Sequence, residues 1–316
     1  MKMIAIVGPT ASGKSALAVE LAKRIDAEII SCDSMQIYRT MDIGTAKPTV
    51  AEMDGIPHHL IDVADPSEPY SAADYAVAAG DAARAITGRG RTPILCGGTG
   101  LYLDALRYGR HGNAPGGDEA LRASLLAEAK EQGGALRLHA RLAALDPDAA
   151  AAIHPNNLRR VVRALELCML TGKTKTALDA ESRELLPDIP MLIFCLTFSD
   201  RALLAERINR RVDLMIEAGL VEEVRRLMAA GHLCPGSTAE QAIGYRQLLP
   251  YLAGECSLEA AGEEIKTATR RYAKRQMTWF RRTEGAIPLS VDADGRVRGA
   301  AELADEIMPR VLEFLE

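Results

Sequence analysis

The sequence predicts an α/β protein, a parallel sheet flanked by helices, carrying an all-helical insertion. Short apolar runs are the first observation: Ile4–Val7, Ala27–Cys32, Pro93–Cys96 and a run within Asp188–Phe198 have the length and the bounding turn residues of buried strands. The stretches between them carry apolar residues at helical spacing, as with Leu17, Leu21 and Ile25, and alternation of the two element types builds parallel sheets. The third observation is a change of character from Asn113 to Leu186, where Ala, Leu, Arg and Glu dominate and helical spacing is plain in "EALRASLLAEAKEQ" and "NLRRVVRALELCML". The expected organisation is a core of residues 1–112 and 187–316, helical again from Arg201 onward, and an insertion of residues 113–186 between the turn-like "GNAPGGD" and "LLPDIP".

The first strand runs into "GPTASGKS", which fits G-x-x-x-x-G-K-[ST] in the strand-loop-helix setting that the motif needs, so the core is expected to be P-loop NTPase-like. Gly8 and Gly13 let the backbone of Pro9, Thr10, Ala11 and Ser12 turn its amides inward around phosphate oxygens. The helix that follows adds the positive end of its dipole, and Lys14 adds a point charge. Ser15 stands where a Mg²⁺ ligand belongs. The loop predicts a phosphorylated ligand without saying which one.

The second strand ends at "DSMQIYRTMDIGTAKPT". In a parallel sheet, ligands gather at the carboxyl ends of the strands, so the Asp33 carboxylate is expected to face the bound phosphate, as a base or as a Mg²⁺ partner. Asp42, Thr45 and Lys47 follow in a polar loop able to close over the site, with Lys47 expected to be merely solvated. The third strand leads into "CGGTG", where Thr99 sits in a glycine turn ahead of a helix beginning near Leu101. His58 and His59 have no carboxylate at ligand spacing and read as loop or core histidines; Tyr38 and Tyr102 read as packing residues.

A chain of 316 residues with 48% hydrophobic and 26% charged residues suits a globular fold, with a core resting on aliphatic residues because aromatics make up only 4%. The six cysteines are scattered, none at C-x-x-C spacing, and read as buried thiols. No apolar run of membrane-spanning length and no leader pattern occurs, so a cytoplasmic protein without a membrane partner is expected. A net charge of −5 announces no nucleic acid, yet "KTATRRYAKRQMTWFRR", Lys266 to Arg282, holds seven Lys or Arg, no acid, and three interleaved aromatic residues. That combination favours RNA.

The blocks "GPTASGKS", "DSMQIYRTMDIGTAKP", "IPHHLIDVADP", "GGTGLYLDAL", "NLRRVVRALE", "RVDLMIEAGLVEEVRRL", "AIGYRQ" and "TRRYAKRQMTWFR", in that order, resemble the bacterial tRNA dimethylallyltransferase (isopentenyltransferase) family from Ile4 to about Arg282. The resemblance implies transfer of a dimethylallyl group from dimethylallyl diphosphate to the exocyclic amine of the adenosine immediately 3′ of a tRNA anticodon, in tRNAs reading codons that begin with U, with Mg²⁺ present. It implies Asp33 as the base and Thr10 and Arg211 as diphosphate contacts, with Arg207 one turn from Arg211; Arg207 and Arg210 otherwise read as surface arginines. Asp33, Ser34, Met35 and Gln36 are implied at the target base, Gln36 offering donor and acceptor to an adenine edge, with Thr99 beside them. The implied anticodon stem-loop contacts are Arg159, Arg160, Val161, Val162 and Arg163, then Gln241, Gly244, Tyr245 and Arg246, joined by Arg122. No obligate protein partner is implied, and a monomer is expected. Three other readings of the P-loop stay open on the residues: a small-molecule or nucleotide kinase using ATP, an adenylate isopentenyltransferase acting on a free nucleotide, and a nucleotide-dependent RNA-binding switch.

Overall fold

The chain enters as β1 (Met3–Val7), five residues buried without exception, and turns through the P-loop into α1 (Lys14–Ile25), which covers the sheet with Leu17, Ala18 and Leu21. It returns as β2 (Ala27–Cys32), passes a short α2 (Val50–Met53) and a two-residue β3 (His58–His59), and crosses back through α3 (Ala72–Gly88) to β4 (Thr92–Gly97). Ser71 starts α3 with a capping box, its hydroxyl accepting from the Asp74 amide while Asp74 accepts from the Ser71 amide. After β4 come α4 (Gly100–Tyr108) and five further helices, α5 (Glu119–Lys130), α6 (Gly134–Leu145), α7 (Pro147–Ala152), α8 (Leu158–Thr171) and α9 (Lys175–Glu184). The chain then resumes as β5 (Met191–Thr197), followed by α10 (Arg201–Glu217), α11 (Leu220–Ala229), α12 (Tyr245–Leu252) and the 23-residue α13 (Leu258–Phe280). It ends with β6 (Ala286–Ser290), the hairpin strands β7 (Asp292–Ala293) and β8 (Arg296–Val297), and α14 (Ala300–Leu315). This computed structural model describes residues 1–108, 117–184, 189–234 and 237–316.

Contacts divide the chain into two units, residues 1–103 with 189–316 and residues 104–188; the boundaries expected at 112/113 and 186/187 lie outside the described residues. In the first unit six parallel strands lie in the order β3-β2-β4-β1-β5-β6. The interior strands are largely apolar, as in parallel sheets buried on both faces, with Glu28 and Ser31 of β2 as buried polar exceptions. The register Ile6↔Cys96 and Ser31↔Cys96 brings the ends of β1, β4 and β2 level. Strands lie about 4.8 Å apart, so the loops after β1 and β2 are separated by about 10 Å.

The expectation of helices alone after Arg201 is corrected by β6, β7 and β8. "AIPLS" carries Pro288, which argues against an interior strand, but β6 is the outermost strand, where a missing amide is tolerated. His59 pairs with buried Glu28 at 2.6 Å, and His58 Nδ1 meets the Ile56 carbonyl at 2.8 Å, so both histidines serve the fold. No described helix is long and apolar enough to cross a membrane.

The second unit closes around Leu125, Leu138, Leu142, Val161, Val162 and Leu165. Asp146 caps α7 through the Ala149 amide and accepts both the Thr176 amide at 2.8 Å and its hydroxyl at 2.7 Å, tying the start of α9 to α7.

Candidate active site at the carboxyl edge of the sheet

The backbone of the P-loop is shaped by its glycines and braced by two distant side chains. Gly8 has φ +149°, and a Cβ there would lie 2.9 Å from the Leu196 carbonyl oxygen on β5, so only glycine fits. Gly13, at φ +89°, opens α1 with no side-chain cap and no acid in the first turn, which leaves the helix N-terminus positive and its amides available. Lys14 Nζ donates to the Pro9 carbonyl of its own loop at 2.7 Å. It lies deep in the cradle, and burial pulls its pKa from 10.5 down to about 8, with Cys96 and Asp33 resisting and Arg211 adding to the drop. The Ser12 hydroxyl is buried with no partner among the described residues, an orphan donor that a phosphate oxygen would satisfy. Ser15 is exposed on the cavity side.

Two side chains hold the loop from outside it. Arg207 Nε donates to the Ala11 carbonyl at 2.8 Å, which corrects the reading of Arg207 as a surface arginine. Gln276 on α13 accepts the Thr10 amide at 2.8 Å and donates to the Gly98 carbonyl at 2.9 Å, bridging the P-loop and the turn after β4.

Asp33 follows β2 directly, and one carboxylate oxygen accepts the Met35 amide at 2.9 Å. The adjacent Ser34 amide donates to Thr99 Oγ1 at 3.0 Å, and Tyr272 on α13 also meets Thr99. Asp33, Ser34, Met35, Thr10, Arg211, Gln241, Gly244 and Tyr272 all line one cavity of about 270 Å³. A larger one of about 1170 Å³ opens on the other side of the P-loop and holds Gly13, Lys14, Ser15, Arg207, Arg210 and, again, Arg211. Arg211 is half-buried, and the loss of solvent around it lowers its pKa while Asp33 opposes the shift; Lys14, Arg211 and Asp33 thus feel one another's charge. Two cations beside one carboxylate, where two cavities adjoin, form a site for an anionic ligand and a proton-bearing one.

Several expected contacts are engaged elsewhere. Gln36 accepts from the Ser31 hydroxyl at 3.1 Å and donates to the Thr45 and Ala46 carbonyls at 3.3 and 3.2 Å, so both ends of its amide brace its own loop. Lys47 is not simply solvated: its side chain is 6% exposed and reaches the Tyr38 carbonyl, Asp42 and Asp62. Tyr245 is fully buried, its hydroxyl donating to Glu223 at 2.6 Å, and it also contributes to the lining of the smaller cavity. Arg246 and Gln241 are exposed.

In the second unit Arg159 and Arg160 are exposed on α8. Val161 and Val162 are 0% and 2% exposed and belong to that unit's core, which removes their side chains from any ligand surface. Arg163 and Arg122 both bind buried Glu166, at 2.8 and 3.0 Å, and so compensate a carboxylate that burial would otherwise penalise.

The residues missing from the sequence reading are Gln276, Tyr272 and Glu223. Glu223, 1% exposed, accepts the amides of Asp42, Ile43 and Gly44 at 2.8–3.0 Å as well as the Tyr245 hydroxyl, and so shapes the loop roofing both cavities. Among the described residues no group of three or more His, Cys, Asp and Glu is poised to hold a metal.

The sequence matches the IPP transferase family over residues 36–283 and the isopentenyl transferase family over residues 1–67. It is 48% identical over 281 residues to a tRNA dimethylallyltransferase of Bacillus cytotoxicus, covering 89% of this chain and 87% of that one. A tRNA dimethylallyltransferase of Halalkalibacterium halodurans is 50% identical over 280 residues, 89% and 88% of the two chains. The crystal structure of the full-length tRNA isopentenylpyrophosphate transferase of Bacillus halodurans superposes with a TM-score of 0.71 at 44% identity, over 99% of this chain and 98% of that one. A eukaryotic dimethylallyltransferase acting on tRNA gives 0.78 at 30% identity, over 99% of this chain and 77% of its own. A match over most of the chain, relatives near half identity and two solved structures of the same fold agree: the chain belongs to the IPP transferase family.

Proposed function

We propose that the protein transfers the dimethylallyl group of dimethylallyl diphosphate to the exocyclic amine of the adenosine 3′-adjacent to the anticodon of tRNA, giving N6-isopentenyladenosine and diphosphate. The observation that carries this reading is the sharing of one cavity by Thr10, Arg211 and Asp33 at the mouth of the P-loop. In the reaction the allylic C1–O bond breaks, diphosphate leaves with the electron pair, the amine lone pair forms the N6–C1 bond, and Asp33 takes the amine proton. The adenine amine is a weak nucleophile because its lone pair is delocalised, so a carboxylate within reach lowers the barrier. Negative charge grows on the departing diphosphate, and Lys14, Arg211 and the amides at the start of α1 are the groups that would stabilise it. The adenosine leaves its stack to enter the cavity, a step expected of enzymes that act on a base.

Mg²⁺ suits this cradle. It favours oxygen ligands, a few waters and substrate phosphates over a dedicated protein cage, and Ser15 supplies the single hydroxyl such a site uses. When bound it neutralises charge developing on the diphosphate. The reading takes the enzyme as cytoplasmic, where tRNA is found, and as a monomer. Incubation with Mg²⁺, radiolabelled dimethylallyl diphosphate and an unmodified anticodon hairpin tests it. Label on the target adenosine is the expected result, and no label on RNA, with the γ-phosphate of ATP transferred to a small acceptor instead, would overturn it.

Two expectations follow for binding. The Lys14 ammonium titrates near pH 8 in the ligand-free cradle, and a diphosphate favours the protonated form, so its bound-state pKa is higher. Affinity for inorganic diphosphate is therefore independent of Lys14 below that pH and falls above it, by up to about tenfold per pH unit. Calorimetry between roughly pH 7 and pH 10 should show this fall in the wild type and not in Lys14→Met. Arg159 stands exposed on α8, and Arg159→Ala should weaken hairpin binding and flatten its dependence on salt by about one ion, read as the slope of log Kd against log salt.

A further inference from the structure

We infer that Met215 sets the length of prenyl chain this enzyme accepts, by forming the apolar part of the wall between the two cavities. The inference rests on the prenyl-transfer reading above and adds the determinant of donor size.

Residues 211 and 215 lie one helical turn apart on the same face of α10. Ala11, Arg211 and Met215 each line both the 270 Å³ cavity and the 1170 Å³ one. The wall therefore has a charged part, Arg211, suited to the diphosphate, and an apolar part, Met215, suited to hydrocarbon. The reacting carbon must sit between the cradle and Asp33, so the remaining carbons of the donor need an apolar surface beside both. Ile208, Val212 and Met215 of α10 provide it, together with Ile265 of α13.

These side chains differ in what lies behind them. Ile208, Val212 and Ile265 are 1–2% exposed and belong to the hydrophobic clusters of the core, so packed side chains lie behind each of them. Met215 is half-buried at the edge of the same core, and on its other side lies the larger cavity, whose lining includes the apolar Leu214, Ile43 and Ala218. Apart from Ala11 in the P-loop itself, Met215 is the apolar residue of the smaller cavity that also faces the larger one. In the wild type a second isoprene unit meets the Met215 side chain. Without it, the unit passes along Leu214 and Ile43. The chemistry is unchanged: C1–O breaks with its electrons going to diphosphate, N6–C1 forms, and Asp33 takes the proton.

The test offers dimethylallyl and geranyl diphosphate together, with Mg²⁺, to an anticodon hairpin and weighs the products by mass spectrometry, using wild type, Met215→Ala, Met215→Val and, as a control on α10 that lines neither cavity, Leu204→Ala, all of measured Tm. The geranyl-to-dimethylallyl product ratio is expected to rise by more than about tenfold in Met215→Ala and by less in Met215→Val, since even one methylene shifts such ratios by that order. In Leu204→Ala it should stay at the wild-type value. An unchanged ratio in both Met215 variants, an equal rise in Leu204→Ala, or loss of both transfers by both Met215 variants at wild-type Tm would overturn the inference. Failure of the wild type itself to transfer dimethylallyl would instead sink the proposed function.

Discussion

Asp33→Asn should slow single-turnover transfer to the hairpin by about two to four orders of magnitude, the range that a positioned general base supplies. The substitution is chosen because an amide oxygen still accepts the Met35 amide, so the turn after β2 keeps its shape. Ser34 remains tied to Thr99 for the same reason. What is lost is a group able to take a proton from the adenine amine. Hairpin and donor dissociation constants at neutral pH should stay within about threefold, because neither ligand owes most of its affinity to one carboxylate. A second consequence comes from charge: Asp33 holds the Lys14 pKa up, so its neutralisation should move the pH-dependent fall in diphosphate affinity to lower pH. Wild-type turnover in this variant would remove Asp33 from the chemistry.

The parts of this site that the sequence makes legible are those built by neighbours in the chain. Gly8, Gly13, Lys14 and Ser15 lie within one loop, and Asp33 is placed by the end of a six-residue apolar strand. Gln276 is another matter. It acts on Thr10 across 266 residues and on Gly98 across 178, and nothing near it in "AKRQMTW" signals either contact. Arg207 reaches Ala11 across 196 residues, and Glu223 reaches the Asp42–Gly44 amides across about 180. Family likeness misleads in a different way, because a block such as "NLRRVVRALE" mixes the two faces of one helix. Periodicity separates them: Val161, Val162 and Leu165 fall on the buried face of α8, whereas Arg159 and Arg160 fall on the exposed one. The pairing of Arg122 and Arg163 with Glu166 is equally invisible in sequence, since a buried glutamate on a helix looks like a solvated one until its neighbours are known.

Lys14→Ala should lose both donor affinity and rate, and this double loss sets it apart from Asp33→Asn. The ammonium donates to the Pro9 carbonyl and lies in surroundings that already depress its pKa. A diphosphate replaces that weak contact with a charge-assisted one, so the side chain contributes to ground-state binding. As the C1–O bond lengthens, more negative charge collects on the oxygen facing the cradle, and an ammonium preorganised there stabilises the transition state further; removing one such donor typically costs about 10²–10³ in rate. Arg211 cannot substitute, because it stands in the wall between the cavities, while Lys14 lines only the larger one. Hairpin affinity should be retained, since Lys14 lies on the diphosphate side of the loop. Single-turnover kinetics at saturating and subsaturating donor, alongside hairpin binding, measure all three quantities. A variant that binds donor normally and loses only rate would mean that the loop amides and Arg211 carry the ground state alone.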